Sequence, residues 1–491
     1  MQKIKQLGWM LFSVQTAFVM LLAYYITKLN VLPKWAVLLV AAFCIAFTLT
    51  NMYFICFKHK KIYKVLVVIL TAVFCIVAII PVNVMRHAEY TLNNLQGESN
   101  EYDAIYEIVV RKDDLAKNLS DISQYSVGID VSHDIESVNK AIKGIEDKLN
   151  VKLKIVEYSS YPELLKALTE TKEISAAFMN SSFLDMFDEM YATNNQNINE
   201  YVKKIENITV TVPVVPPENT NDDINQYELY ERPFVIYISG IDVAGKIKTR
   251  SRSDVNILVV MNPKTKRMVL ATVPRDTYVP LVGNESDRFN GEYDKLTHAG
   301  IYGDNCAVSI ATLEEYIYSG INIDRWIRVN FTSLKRIVNA LDGIEVKSKY
   351  SFSQSGYYFS KGTNYLDGEE ALAFCRNRKS FGDGEQQRGK NQLEVIKGIF
   401  NKAISPKILK AYTEIFDEII DSVQTNLTAE DIKGLVKMQL NDGASWDIET
   451  AAIRVDYKND YCYALGAKAC VGIMQEESRL EVLEIIKDVL K

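Results

Sequence analysis

FVIYISGIDVAGKIKTRSRSDVNILVVMNPKTKRMVLATVPRD, residues 234–276, is the stretch on which the reading of the fold turns. Residues 234–241 are an apolar run ending at Asp242. Residues 255–261 are a second run, beginning just after Asp254, and Met268–Val273 is a third, stopping at Pro274-Arg275-Asp276. Asn262-Pro263-Lys264-Thr265-Lys266 has the composition of a turn between the second and third. With neighbours antiparallel, the end of the first run, the start of the second and the end of the third share one sheet edge. Asp242, Asp254 and Arg275 then lie together. Carboxylate oxygens suit a hard cation and a guanidinium suits phosphate, so this edge has the chemistry of a pyrophosphate site. One Asp at a strand end is an ordinary turn residue. Two at one edge, flanked by Arg252, Arg275 and Asp276, favour a functional reading.

Further cations follow downstream. In Phe374-Cys375-Arg376-Asn377-Arg378-Lys379, an extended backbone would point Arg376 and Arg378 to the same side as a fork for a diphosphate; the alternative is a solvated basic loop. Gly382-Asp383-Gly384-Glu385-Gln386-Gln387-Arg388-Gly389-Lys390-Asn391-Gln392 suits a mobile, phosphate-facing loop entering a helix. Lys295-Leu296-Thr297-His298-Ala299-Gly300 places another cation and a lone histidine before a helix. His298 reads as a packing or hydrogen-bonding residue, and Cys375 has no histidine in sequence reach to make it a nucleophile.

The 85 residues at the N-terminus differ from the rest. Leu7–Thr27, Trp35–Phe57 and Val65–Met85 contain no Asp, Glu, Lys or Arg. Each is long enough to cross a hydrocarbon layer of roughly 30 Å as a helix. Lys3 and Lys5 precede the first stretch and Lys58, Lys60, Lys61 and Lys64 lie between the second and third, against Lys28 and Lys34 between the first and second. That asymmetry predicts a multi-pass cell-membrane protein with a cytoplasmic N-terminus and an extracellular main mass. A formal net charge of −6 with no dense basic patch argues against nucleic acid as a partner. Four of the seven cysteines, Cys306, Cys375, Cys462 and Cys470, then fall outside, where disulfides persist. A bridge between Cys462 and Cys470 around Gly466 is expected, and a Cys306–Cys375 pair is open.

The chain therefore divides into a membrane anchor over 1–88, a small accessory α/β domain over 89–211, a Pro- and Asn-containing linker over 212–229, and a main domain over 230–491. In the accessory domain, strands at Ser126–Ile129, Leu153–Val156 and Ile174–Met179 alternate with helices at Ile135–Leu149 and Tyr161–Thr169, which predicts a small parallel sheet. In the main domain, helices are expected over Asn305–Ser319, Phe331–Leu341 and Gln392–Ile404. Another opens at the capping box Asp367-Gly368-Glu369-Glu370. A late strand is expected at Ala451–Val455 in an otherwise helical end. The fold class is α/β: a three-helix anchor, then a twisted, mainly antiparallel sheet flanked by helices on both faces.

Taken together, these clusters resemble the LytR–CpsA–Psr (LCP) family, in particular its capsule-linked CpsA-like branch. The matching pieces are Ser239-Gly240-Ile241-Asp242, Ser251-Arg252-Ser253-Asp254-Val255-Asn256, Val273-Pro274-Arg275-Asp276, Lys295-Leu296-Thr297-His298-Ala299, Phe374-Cys375-Arg376-Asn377-Arg378 and Arg388-Gly389-Lys390-Asn391-Gln392. The resemblance implies an enzyme that moves a capsule- or teichoic-acid-type glycopolymer from an undecaprenyl-pyrophosphate carrier to a peptidoglycan sugar hydroxyl. It implies Mg²⁺ held by Asp242 and Asp254, with Arg252, Arg275, Arg376, Arg378 and Gln392 on the pyrophosphate, and Lys295 and Arg388 at further motif positions. An apolar tunnel for the lipid is implied too. Asp254 or Asp276 is the candidate proton acceptor, with Arg275 beside them, and capsule-assembly proteins are further partners. A lipid-pyrophosphate hydrolase and a non-enzymatic regulator of capsule assembly are the alternatives. Many relatives have Arg where this chain has Asn391, and Asn where it has Thr297.

Overall fold

Long apolar stretches satisfy their backbone polar groups only by becoming helical in a membrane. In the computed structural model, which describes residues 2–57, 60–94, 101–132, 134–193, 197–213, 229–241, 247, 249–303, 305–378, 384–404 and 423–491, the chain opens with three helices. These are α1 (Gln2–Leu29), α2 (Lys34–Phe57) and α3 (Lys61–Asn94). Trp9–Leu29, Lys34–Cys56 and Ile62–Thr91 are long and apolar enough to cross a membrane. A buried amide joins all three. Asn51 Nδ2 donates to Gln15 Oε1 at 2.7 Å and to Thr71 Oγ1 at 3.0 Å, and Gln15 Nε2 donates to Thr48 Oγ1 at 3.0 Å.

Next come β1 (Glu101–Arg111), β2 (Ser126–Asp130), α4 (Ile135–Leu149), β3 (Lys154–Tyr158), α5 (Tyr161–Thr169), β4 (Ala176–Asn180), α6 (Ser181–Thr193) and β5 (Val202–Pro213). The sheet order is β3-β2-β4-β1-β5. The parallel trio expected from the sequence is present, but β1 runs antiparallel to both β4 and β5, so the sheet is mixed. The edge strand β5 escapes a sequence reading because its Lys203, Lys204 and Glu206 are the charges an edge tolerates. Residues 214–228 of the expected linker lie outside the described residues.

The main sheet is built on the meander β6 (Phe234–Ile241), β7 (Ser253–Asn262) and β8 (Arg267–Thr272). Their antiparallel pairing is as the apolar runs require. Following in chain order are β9 (Tyr278–Pro280), β10 (Tyr293–Lys295), α7 (Ala307–Thr312), β11 (Arg325–Asn330), α8 (Phe331–Ala340), β12 (Ile344–Ser348), β13 (Phe352–Gln354), β14 (Tyr357–Phe359), β15 (Gly362–Leu366), α9 (Gly368–Arg376), α10 (Gly384–Ala403), β16 (Val423–Thr425), the helix Ala429–Asp442, β17 (Asp447–Ala452), the hairpin β18 (Val455–Cys462) and β19 (Ala467–Met474), and the helix Glu476–Leu490. The six-stranded order β16-β11-β6-β7-β8-β17 is antiparallel at β16–β11, β6–β7 and β7–β8 and parallel at β11–β6 and β8–β17. Strand alternation feeds two cores. Val235, Tyr237, Leu258 and Val260 pack with Leu313 and Ile486 on one face, whereas Phe234, Ile236, Ile257 and Val259 pack with Leu393 of α10 on the other.

Several expectations change. The helix expected over 305–319 is α7 followed by a single π-helical turn, Leu313–Ile317. The late strand splits at Ile453-Arg454 into β17 and β18, and the region after Asp447 is as much hairpin as helix. The accessory sheet is not separate from the main domain. Leu164, Phe183 and Phe187 share one core with Phe289, Ile301, Tyr302 and Val471, and the rings of Phe289 and Tyr302 lie 4.4 Å apart.

The expected Cys462–Cys470 bridge is absent, since both thiols are free. In the β18–β19 register Cys462 faces Ala467 and Cys470 faces Asn459. Cys470 is thus three residues from Ala467, and the two thiols leave opposite faces of the hairpin, Cys462 buried and Cys470 exposed. Cys306 and Cys375 are free and buried too. Burial pushes the Cys375 thiol up to about 12. We expect iodoacetamide at mildly alkaline pH to label Cys470 in the folded protein, and Cys306, Cys375 and Cys462 only after denaturation without reductant. A 462–470 disulfide-linked peptide in the mass spectrum would contradict this arrangement.

Candidate active site

The site is made by an irregularity in the meander. Gly240 faces Val255 and Ile241 faces Ser253, so Asp254 has no partner on β6 and forms a bulge. A bulge re-aims the side chain of the extra residue. Ser253 keeps to one face, its Oγ 2.9 Å from Tyr237 Oη and 2.7 Å from Ser239 Oγ. Asp254 is released to the face where Ile238 and Val255 line a cavity. The bulge also brings Val255 against the neighbouring strand: a Cβ on Gly240 would come within 2.7 Å of the Val255 side chain, so a residue without one is needed.

Arg275, three residues past β8, reaches the bulge from the third strand. Its Nη1 donates to both Asp254 oxygens at 2.9 Å, and Thr297 Oγ1 donates to Oδ1 at 3.0 Å. Both Asp254 and Arg275 are buried. Burial by itself would raise the Asp254 carboxyl, but Arg275, then Arg252 and Arg388, together hold it well below the usual carboxylate range. Thr297 thus supplies a neutral hydrogen bond to the carboxylate beside its ion pair. Its turn lies close to the strand because Gly300 has no side chain: a Cβ there would meet Ser251 O and Ser253 N at 2.7 Å.

Arg376 and Arg378 arrive differently from the extended fork considered above. Asp367 caps α9 with a capping box to Glu370, and the helix runs through Arg376 before Asn377 turns extended. Arg376 stacks its guanidinium 3.9 Å over the Phe331 ring. The glycine-containing run is helical from Gly384 onward, so Arg388 and Gln392 sit one turn apart on α10. Asn391 is buried between them and α9: its Nδ2 donates to Phe374 O at 3.3 Å and its Oδ1 accepts from Gln387 Nε2 at 2.9 Å. A neutral amide there ties the two cation-bearing helices together. Nothing in the sequence pattern singles out that role, or the Tyr237–Ser253–Asn256 network beneath the bulge.

Asp254, Arg376, Arg378, Arg388 and Gln392 line one cavity of about 520 Å³. Its remaining wall is largely apolar, from Ile238, Val255, Leu334, Leu372, Val395 and Ile396. Arg275 meets Asp254, Arg388 and Gln392 around an adjoining void of about 10 Å³. Asp276 and Lys295 are placed elsewhere: they pair at 3.0 Å and line neither space. His298 Nδ1 lies 2.6 Å from buried Asp294 Oδ1, which fits the hydrogen-bonding reading. Asp242 lies outside the described residues.

A family model described as LytR_cpsA_psr matches residues 188–479. The chain belongs to that family. It is 36% identical over 205 residues to a polyisoprenyl-teichoic acid–peptidoglycan teichoic acid transferase TagU of Enterococcus faecalis, covering 41% of this chain and 64% of that protein. It is 33% identical over 220 residues to a TagU transferase of Bacillus anthracis, covering 45% and 69%. The crystal structure of B. subtilis TagU is similar at 27% identity and a TM-score of 0.40, over 53% of this chain and 97% of that one.

Removing one member of a buried pair leaves the other charge without its partner, at a cost of about 3–5 kcal/mol. We expect Asp254→Asn to lose stability of that order in urea unfolding near neutral pH. The native carboxyl titrates below its unfolded value of about 3.9. The pair's contribution is therefore complete above that pH and is lost as pH falls through the lower native value. Asp254→Asn should accordingly flatten the acid limb of the stability profile below about pH 4. An unchanged acid limb would contradict the pairing.

Proposed function

We propose that this protein transfers a glycopolymer from a polyprenyl-pyrophosphate carrier to a peptidoglycan sugar hydroxyl. The carrying observation is the join of two environments in one cavity: a buried carboxylate and three arginines at one end, and aliphatic walls beyond. A soluble nucleotide would have little use for those walls, whereas a polyprenyl pyrophosphate needs both. The arginines suit the diphosphate oxygens, and Gln392 offers an amide donor beside them.

In the proposed reaction an acceptor hydroxyl oxygen attacks the phosphorus next to the sugar. A phosphodiester to the wall glycan forms, the bond to the bridging oxygen breaks, and polyprenyl phosphate leaves while the proton of the hydroxyl passes to solvent water. Phosphoryl transfer relies mainly on positioning and charge stabilisation, and the chain's own part is cationic. Asp254, held ionised by its arginines, is better fitted to organise charge than to accept a proton. Asp276, one residue past Arg275, and its partner Lys295 lie outside the donor cavity, and we assign them to the acceptor side.

We propose Mg²⁺ as the ion that accompanies the pyrophosphate here. Among the described residues no three carboxylate, cysteine or histidine side chains converge. An ion shared with a pyrophosphate needs only one or two carboxylates, and Asp254 with Asp242 would hold it. Bound there, it would neutralise phosphate charge that builds up on the leaving group.

The anchor suits a lipid donor, and we place the N-terminus in the cytoplasm and the cavity outside. Lysine placement supports that orientation. A hydrogen bond from Lys437 Nζ to Asn30 Oδ1 at 2.9 Å sets the main domain beside the α1–α2 connection, the side on which a third span ends. The test is full-length protein in liposomes with a labelled polyprenyl-pyrophosphate glycan, with and without peptidoglycan. We expect label on the wall fraction, and a loss of about 10²-fold in Arg376→Ala, in line with removal of one charge-stabilising group. Release of label at full rate without peptidoglycan would instead make the protein a hydrolase.

A further inference from the structure

In an open α/β sheet, ligands bind beyond the carboxyl ends of the parallel strands. In the accessory sheet that edge is formed by the end of β2, the start of α4, and the end of β4 with the start of α6. It is occupied by Arg250 of the main domain. The Arg250 guanidinium lies 3.7 Å from the centre of the Tyr102 ring, and its Nη1 is 3.7 Å from Asp134 Oδ2. Tyr102 Oη donates to the same Asp134 oxygen at 2.6 Å, and Ser137 Oγ donates to Oδ1 at 2.6 Å. At the other side of the edge, Ser182 Oγ donates to the Arg250 carbonyl at 2.9 Å. One residue earlier, Thr249 forms an isolated β-bridge with Asp103 of β1. Both the side chain and the backbone of this segment are held.

Asp134 is shaped for that grip rather than for its own helix. It is the N-cap of α4, where an Asp ordinarily accepts a backbone N–H of the first turn. Here it makes no side-chain cap and has a left-handed backbone with φ of 47°. A non-glycine residue in that region carries strain that surrounding contacts must offset. The contacts present are Tyr102, Ser137 and Arg250.

Arg250 is two residues before Arg252 and four before Asp254, the bulge residue. Between them the chain passes beneath Gly300 with no room for a side chain there. We infer that the accessory domain is a clamp in cis: it takes Arg250 as an internal ligand and thereby sets the position of Arg252 and Asp254. Arg250 is a positioning residue, since it lines neither space of the site. The kinetic part of this inference rests on the transferase reading above; the structural part does not.

The test uses the full chain in detergent or liposomes, with Arg250→Ala, Arg250→Lys, Asp134→Asn and the Arg250→Ala/Asp134→Asn double variant. Hydrogen exchange should rise at the amides of 251–254 in Arg250→Ala and in Asp134→Asn, which lies in the other domain, while amides of β7 beyond Ile257 keep their protection. Transfer should fall between about tenfold and a hundredfold in kcat, the range that misplacement of a catalytic group produces. The double variant should fall no further than the worse single one. Arg250→Lys, which keeps the charge but not the planar stack on Tyr102, should recover part of the loss. Unchanged exchange at 251–254 in both single variants overturns the clamp, and so do additive losses in the double variant. If the wild-type protein transfers no glycan, the functional reading fails, and the exchange results alone decide the clamp.

Discussion

The buried pair of Asp254 and Arg275 is the constraint around which the main domain is arranged. Neither charge is stable in a dry interior without the other. Satisfying them requires the bulge on β7, the exit of β8 and the turn carrying Thr297 to meet within hydrogen-bonding distance. That demand explains two glycines whose absent side chains leave room for a close approach, Gly240 to the Val255 side chain and Gly300 to the backbone of Ser251 and Ser253. It also explains why the carboxylate sits far below its usual range despite burial. Three guanidinium groups surround it, and their attraction exceeds the cost of desolvation.

The same surplus of positive charge gives the cavity its polarity. Arg388 and Gln392 belong to α10, whose other positions, Leu393 and Ile396 among them, close the apolar core under the sheet. A single helix thus supplies both a charged end and a greasy wall, because Arg388, Gln392 and Ile396, each four apart, share the face on the cavity while Leu393 turns into the core. Arg376 is held by its stack on Phe331, and α9 is tied to α10 through Asn391. Arg376 and Arg388 are therefore carried by packed helices, with Arg378 two residues beyond the first of them. That preorganisation is what a site acting through charge alone requires.

Much of this is legible in the sequence. The meander could be read because three apolar runs of strand length were separated by a turn and by polar segments, and its antiparallel order followed. Among the accessory helices α4 is legible from its apolar spacing and α5 from Pro162 in its first turn, whereas α6 is not expected, and in the main domain α9 is legible from its capping box. Other elements misled for identifiable reasons. The 382–392 run reads as a loop because it carries glycines, yet from Gly384 it is helical, and a Cβ on Gly389 would come within 3.3 Å of the Thr272 side chain. The mixed accessory sheet was hidden by a charged edge strand. Cys462 and Cys470 have the spacing for a bridge, but the hairpin register puts them on opposite faces.

The order of motifs and the chemistry of their side chains, both local properties, were enough to place the chain in its family and to collect nearly all the candidate residues. What local order cannot contain is direction. Whether Asp254 faces the cavity depends on one unpaired residue in a register set by the whole sheet. Whether Asp276 and Lys295 join the donor site depends on where a distant hairpin packs, and in the fold they pair with each other instead. Arg250, unremarked among several cations, acquires its partners only when a separately wound sheet docks its ligand edge against it. Residue type and spacing determine which chemistry is present; long-range packing alone decides which groups meet, because contacts between residues far apart in the chain leave no period in it.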